Sequence, residues 1–218
     1  MKPLKILIAD DHELIRDGLK ARLEKQENWE VCGAAVNGRQ AVEMARALRP
    51  DVAVLDISMP ELNGIEATRQ IRKACPETEV LILTMQESEG LVRDVLAAGA
   101  RGFILKTDTT RLLVAAVEAL AQRKPFFTGK VAEMELGGFL DPDRAARAGG
   151  SAARHLSPRE REIAQMLAEA KSNKEVATKL GVSVKTIDAH RANIMRKLNL
   201  HSVTELVRYA IREKLIEP

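Results

Sequence analysis

The chain has 218 residues, 45% of them hydrophobic, and nearly balanced charge, with 34 Lys+Arg against 31 Asp+Glu. That is enough apolar content for one or two packed domains. No apolar run approaches the ~20 residues needed to cross a bilayer, so no membrane role is expected. The opening Met1-Lys2-Pro3-Leu4-Lys5 lacks the hydrophobic stretch of a signal peptide, and a cytoplasmic location is the expectation.

The first strand-like run is Lys5–Ala9, apolar and followed by the acidic pair Asp10-Asp11. Further runs of the same kind are Val31–Val36, Val52–Leu55, Val80–Thr84 and Gly102–Lys106. Between them the apolar spacing predicts helices over His12–Gln26, Arg39–Leu48, Ile65–Ala74, Glu89–Ala98 (with Gly99 as its stop) and Thr110–Gln122. Five strands alternating with five helices call for a doubly wound, α/β parallel sheet covered on both faces by right-handed crossovers. Such sheets carry their sites at the strand carboxyl ends. Cys32 and Cys75 are the only cysteines; they read as small buried hydrophobes in a reducing compartment. Trp29, the sole tryptophan, reads as packing or surface filler.

Four of these strands end in polar residues of complementary chemistry: Asp10/Asp11, Asp56, Thr84 and Lys106. If the strands ending in Asp10-Asp11 and Asp56 are sheet neighbours, three carboxylates converge at one edge. Such anions repel one another unless a divalent cation joins them or a pKa shifts. Oxygen-only ligands favour Mg²⁺, which keeps several waters and recruits phosphate oxygens. Asp10 and Asp11 would hold the metal, directly or through water. Asp56 would be ligand and nucleophile, Lys106 would neutralise phosphoryl oxygens, and Thr84 would donate a hydroxyl hydrogen bond to them.

Residues 4–122 resemble a two-component receiver domain, through the acidic pair, the string Asp56-x-x-Met59-Pro60-x-x-x-Gly64, Thr84 and Lys106. The resemblance implies a strand order 2-1-3-4-5 and phosphorylation of Asp56 by a sensor histidine kinase. It also implies that the Ser58 carbonyl completes the metal site. Phe103 matches the aromatic switch position; without a hydroxyl, its readout must be by packing. Met85 stands where many receivers carry a smaller residue and would cover the phosphoryl group.

Residues 151–218 hold 13 Lys+Arg against 8 Asp+Glu, whereas residues 1–150 hold 21 against 23. This asymmetry suggests a basic nucleic-acid module joined to a near-neutral one. The junction between Gly137 and Ala153 is rich in glycine and small residues and reads as a flexible linker. The expected organisation is 1–124 for the receiver, 125–153 for the linker and 154–218 for a smaller all-α module.

In that module Ser157, Pro158 and Glu160 form a helix start with a capping box. A second helix is expected over Asn173–Leu180, ending at Gly181. A third, capped by Ser183, runs to about Leu198, and a last covers Val203–Lys214. A short helix, a glycine turn and a longer helix read as helix-turn-helix. On the third helix Ile187, Ile194 and Leu198 share one side, with Arg191 nearby. The opposite side presents Lys185, Asp188, Ala189, Ala192, Asn193 and Arg196. Alanines flanked by basic residues allow close approach to base edges and thymine methyls. Lys185, Arg191, Arg196, Lys197 and Lys174 would bind phosphates. Thr186 belongs to the same candidate surface, and His190 reads equally as a contact or a structural histidine.

Residues 156–212 resemble the LuxR-type DNA-binding module, through Leu156–Glu162, Lys171–Ala177, Val184–Ile187, His190–Ile194 and Lys197-Leu198. Ala170 departs from the family's usual glycine. The two resemblances together point to a LuxR-type (NarL/FixJ) response regulator: a phosphorylation-controlled transcription factor rather than an enzyme, whose receiver assists only its own phosphorylation and dephosphorylation. Expected partners are the kinase, double-stranded promoter DNA, RNA polymerase and, when phosphorylated, a second copy in a homodimer. One rival is a phosphatase of the haloacid dehalogenase class, which needs Asp-x-Asp; Ser58 occupies the second acid's place. The other is a DNA binder indifferent to phosphorylation, which the complete Asp/Asp/Asp/Thr/Lys set argues against.

Overall fold

The structure, a computed structural model, describes residues 2–85, 88–128, 156–213 and 215–216, without the side chain of Glu89. The chain divides into two compact units. The junction read as a linker over Gly137–Ala153 lies outside the described residues.

The first unit is a parallel sheet of order β2-β1-β3-β4-β5-β6. Its strands are β1 (Leu4–Ala9), β2 (Trp29–Ala35), β3 (Val52–Asp56), β4 (Glu79–Thr84), β5 (Gly102–Leu105) and β6 (Phe126–Phe127). The helices are α1 (Glu13–Leu23), α2 (Gly38–Leu48), α3 (Gly64–Ala74), α4 (Glu89–Ala97) and α5 (Thr109–Ala121). The central strands are apolar on both faces because helices cover both. Ile6, Ile8, Val54, Leu81, Leu83 and Ile104 pack with Leu19 and Leu23 of α1 and Leu113 and Leu120 of α5. The intervening Leu7, Ala53, Leu55 and Ile82 are buried as well.

Several boundaries differ from the sequence reading. The sheet has a sixth strand, since Phe126 and Phe127 pair with Gly102 and Phe103. Two residues are too few to show a period, so this strand leaves no pattern to read. The second strand begins at Trp29 rather than Val31, and Trp29 is half-buried against the core. Lys106 leaves the fifth strand and opens a 3₁₀ turn, Lys106–Asp108. Helices shift by a residue or two where side-chain caps decide their starts: Asn37 accepts from Gln40 N–H and Asn63 from Glu66 N–H.

The second unit packs α6 (Pro158–Ala168), α7 (Asn173–Leu180), α8 (Val184–Leu198) and α9 (Val203–Arg212). Their core joins Ile163, Met166, Val176, Ile187, Ile194, Leu206 and Ala210. The predicted capping box is present, with Ser157 and Glu160 each satisfying the other's backbone N–H. A second box, Ser172 with Glu175, starts α7. Ser183 caps α8 through Thr186 N–H, and Gly181 ends α7 in the left-handed region at φ 64°. The last helix stops at Arg212, two residues short of the expectation.

Candidate functional site

The strand register brings the acids together. Ala9 pairs with Leu55 across β1 and β3, so Asp10 and Asp56 emerge side by side at the point where the strand order reverses. Asp56 pairs with Leu83, and Thr84 with Leu105, which sets Thr84 and then Lys106 along the same edge. Asp10, Asp56 and Thr84 are all buried.

One ammonium ties the cup. Lys106 Nζ lies 2.8 Å from Asp10 Oδ2 and 3.0 Å from Asp56 Oδ1. The second oxygen of Asp56 is buried with no hydrogen-bond partner among the described residues. Burial pushes the Asp56 carboxyl up to about 6; Lys106 opposes the rise, and Asp10 and Asp11 add to it. Burial acts to lower the Lys106 pKa, but the hydrogen bonds and charges of Asp10 and Asp56 outweigh it and hold the ammonium above its ordinary range.

Asp11 joins through a neighbour that the sequence reading overlooked. His12 Nδ1 is 2.9 Å from Asp11 Oδ1 and 3.3 Å from Asp10 Oδ1, while the His12 backbone N–H donates to Asp10 Oδ1. Arg16 adds a bond to the Asp10 carbonyl at 2.9 Å. A buried carboxylate oxygen without a hydrogen bond among the described residues, beside two further carboxylates, is a donor set that fits a hard divalent cation. Asp10, Asp11 and His12 lie close enough to share one. Ser58 sits half-buried in the turn after β3.

Gly64 explains its place in the motif. A Cβ there would stand 2.0 Å from the Asp56 carbonyl oxygen, so only glycine lets α3 begin against the backbone of β3. Phe103 is fully buried, its carbonyl accepting from Thr128 Oγ1 at 3.4 Å. Met85 is 65% exposed.

On the second unit, Lys185, Thr186, Asp188, Ala189, Ala192, Arg196 and Lys197 of α8 are exposed, as is Lys174 of α7. Asn193, Arg191 and His190 are half-buried. Three of these side chains carry bonds that the sequence did not announce. Lys197 Nζ donates to Glu160 Oε2 at 2.7 Å, Arg196 to Asn193 Oδ1 at 2.7 Å, and Asp188 accepts from Asn173. Burial acts to raise the Glu160 pKa, but bonds from Lys197 and Ser157 outweigh it and hold the carboxyl below its usual value.

An acidic, lysine-bridged cup on a parallel sheet, on one chain with a basic helix-turn-helix, defines a two-part regulator. Residues 6–118 match the response regulator receiver domain, and residues 154–210 match the bacterial regulatory proteins of the luxR family. The oxygen regulatory protein NreC of Staphylococcus epidermidis is 40% identical over 218 residues, covering 98% of this chain and all of that protein. NreC of Staphylococcus carnosus is 39% identical over 217 residues, with the same coverage. Among solved structures, Salmonella RcsB bound to the rprA promoter with the phosphomimetic BeF₃⁻ superposes with a TM-score of 0.59 at 26% identity, covering 95% of this chain and 98% of that one. ChrA, the response regulator of a heme-sensing two-component system, gives 0.52 at 30%, covering 99% and 100%. The chain belongs to the two-component response regulators of the NarL/FixJ type, with a receiver domain and a LuxR-type DNA-binding domain.

Proposed function

We propose that Asp56 is the phosphoacceptor, that a sensor histidine kinase is the donor, and that the phosphorylated chain binds promoter DNA as a homodimer. The carrying observation is the ammonium shared by Asp10 and Asp56 beside an Asp56 oxygen that has no hydrogen-bond partner among the described residues. In the transfer, an Asp56 carboxylate oxygen attacks phosphorus, the P–N bond of a phosphohistidine breaks, and its electron pair leaves with the imidazole. Lys106 neutralises charge on the phosphoryl oxygens and Thr84 donates to one of them. Asp10, Asp11, Asp56 and the Ser58 carbonyl would hold Mg²⁺, which supplies charge neutralisation and a template for the incoming phosphoryl group. The kinase needs an apolar landing surface nearby. Leu14 and Ile15, 86% and 41% exposed, flank a cavity of about 380 Å³ that reaches Lys106.

Phosphorylation adds about −1.5 to −2 charge at the sheet edge. Thr84 and Phe103 are the candidate readout, with Phe103 acting by packing alone. Of the expected limits 1–124, 125–153 and 154–218, the first needs extending to Phe127, because Phe126–Phe127 form the sheet's last strand and belong with the receiver rather than the linker. On DNA, Lys174, Lys185, Arg191, Arg196 and Lys197 would meet phosphates. Thr186, Asp188, Ala189, Ala192 and Asn193 would face the groove, with half-sites one helical turn apart. Lys197 would exchange its Glu160 partner for a phosphate. RNA polymerase is the partner downstream, and the cytoplasm is the place of action. No described helix is long and apolar enough to cross a membrane.

The test is labelling with a small-molecule phosphodonor and Mg²⁺, with peptide mapping of the acid-stable, base-labile label. The label should map to Asp56 and vanish in Asp56→Asn. A label that persists in that variant at the parental level refutes the assignment.

A further inference from the structure

Asn173 is the first residue of α7, directly after the Ser172 cap. Its carboxamide reaches across to α8 with both ends engaged. Nδ2 donates to Asp188 Oδ1 at 2.5 Å, and Oδ1 accepts from Arg191 Nη1 at 3.4 Å. Asp188 and Arg191 are three apart and share a helix face. A carboxylate only accepts and a guanidinium only donates, so the amide has one orientation here. One side chain of the first helix thus clamps two consecutive turns of the second.

The clamp uses one oxygen of Asp188 and leaves the other without a hydrogen-bond partner among the described residues. The carboxylate is exposed, with exposed Ala189 and Ala192 beside it, so nothing bulky stands between it and whatever the helix enters. Lys174, Lys185 and Arg196 are also exposed on this surface. If these cations meet phosphates, a carboxylate among them is drawn toward negative charge, which is unfavourable unless it finds a donor. In the major groove the donors are the exocyclic amines of cytosine and adenine, and a carboxylate pairs best with cytosine N4. A site that offers no donor leaves a desolvated carboxylate unpaired, which is how a buried polar group rejects the wrong partner.

We infer that Asp188 reads a cytosine in each half-site and that Asn173 is the positioning residue that aims it. This rests on the reading of α8 as the groove-entering helix. It extends that reading from a basic surface to a named base contact.

The test uses the full chain with a phosphodonor and Mg²⁺, selecting from duplexes randomised over two helical turns. The parent and the Asp188→Ala, Asp188→Asn and Asn173→Ala variants are compared, with thermal unfolding followed for each. The parent should prefer C·G over the other pairs at one position per half-site by about five- to a hundredfold. Asp188→Ala should lose that preference, keep the others, and bind unselected DNA at least as tightly. Asp188→Asn should move the preference toward adenine, whose N6 and N7 suit a carboxamide. Asn173→Ala should blunt discrimination at that same position with the salt dependence unchanged, an effect that a loss of folding would not single out. A parent with a selected site whose base preferences survive Asp188→Ala overturns this inference and leaves DNA reading intact. A parent that selects no site overturns both. If Asn173→Ala weakens all duplexes equally, the positioning role is refuted.

Discussion

Gly64→Ala is the substitution whose consequence the geometry sets most tightly. The added methyl would stand 2.0 Å from the Asp56 carbonyl oxygen, 2.9 Å from its carbon and 3.0 Å from Ile57 Cα. All three are backbone atoms, so no rotamer change relieves the clash. The start of α3 and the end of β3 must separate by at least about 1 Å to relieve the overlap with the Asp56 carbonyl oxygen, and strain of this kind costs ~1–3 kcal/mol. The better helix propensity of alanine recovers up to ~1 kcal/mol. A net loss of about 1–2 kcal/mol would lower the receiver's melting midpoint by roughly 3–12 °C, between the shifts of smaller and larger domains. The strand end that moves is the one carrying Asp56, and a 1 Å misplacement of a reacting group costs about a hundredfold in rate. Both arms are measurable: thermal unfolding of the receiver, and the initial rate of phosphoryl labelling with saturating Mg²⁺. A variant as stable as the parent would refute the packing argument. One that is destabilised but labels at the parental rate would refute the claim that Gly64 positions Asp56.

Lys106→Met should leave Asp10 and Asp56 facing one another without their shared ammonium. Breaking a buried pair in this way costs about 3–5 kcal/mol, and urea unfolding at neutral pH should show a loss of that order, partly restored by millimolar Mg²⁺. Because the Asp56 carboxyl titrates near 6 rather than 3.8, the metal-free folded form binds more protons than the unfolded chain between about pH 4 and 6. Stability of the metal-free protein from this group should therefore fall as pH rises through that window. Apparent Mg²⁺ affinity should weaken about tenfold per unit below pH 6, as calorimetric titration would show. Ala170→Gly should stabilise the second unit. Ala170 has φ 61° after α6, with its N–H bonded to Leu167 and that of Lys171 to Met166. Relief of ~1–2 kcal/mol of left-handed strain is offset by ~0.4–1 kcal/mol of glycine's unfolded-state entropy. A fall in the melting midpoint would contradict this.

The sheet and its site were legible because buried parallel strands are short apolar runs whose ends stand out. Asp10, Asp56, Thr84 and Lys106 could be placed together once the receiver resemblance supplied the strand order, since neighbouring parallel strands of such a sheet end on one edge. What escaped the sequence depends on single contacts. Phe126–Phe127 has no period to read, and its pairing partner lies more than twenty residues earlier. His12 sits next to the acids in sequence, yet whether its ring turns back to them is a matter of rotamer. The bridge from Asn173 to Asp188 spans two helices, and no spacing rule reports it. For Ala170, the left-handed turn at the end of α6 supplies the physical reason for the family's glycine.

Everything in the proposed mechanism requires that charge placed on Asp56 change DNA binding. The most direct measurement is the affinity of the full chain for a selected duplex, with and without a phosphodonor and Mg²⁺, in the parent and in Asp56→Asn. The account predicts tighter binding of the phosphorylated parent and no response in Asp56→Asn. Equal affinity in all four cases, with Asp56 demonstrably labelled, would contradict it.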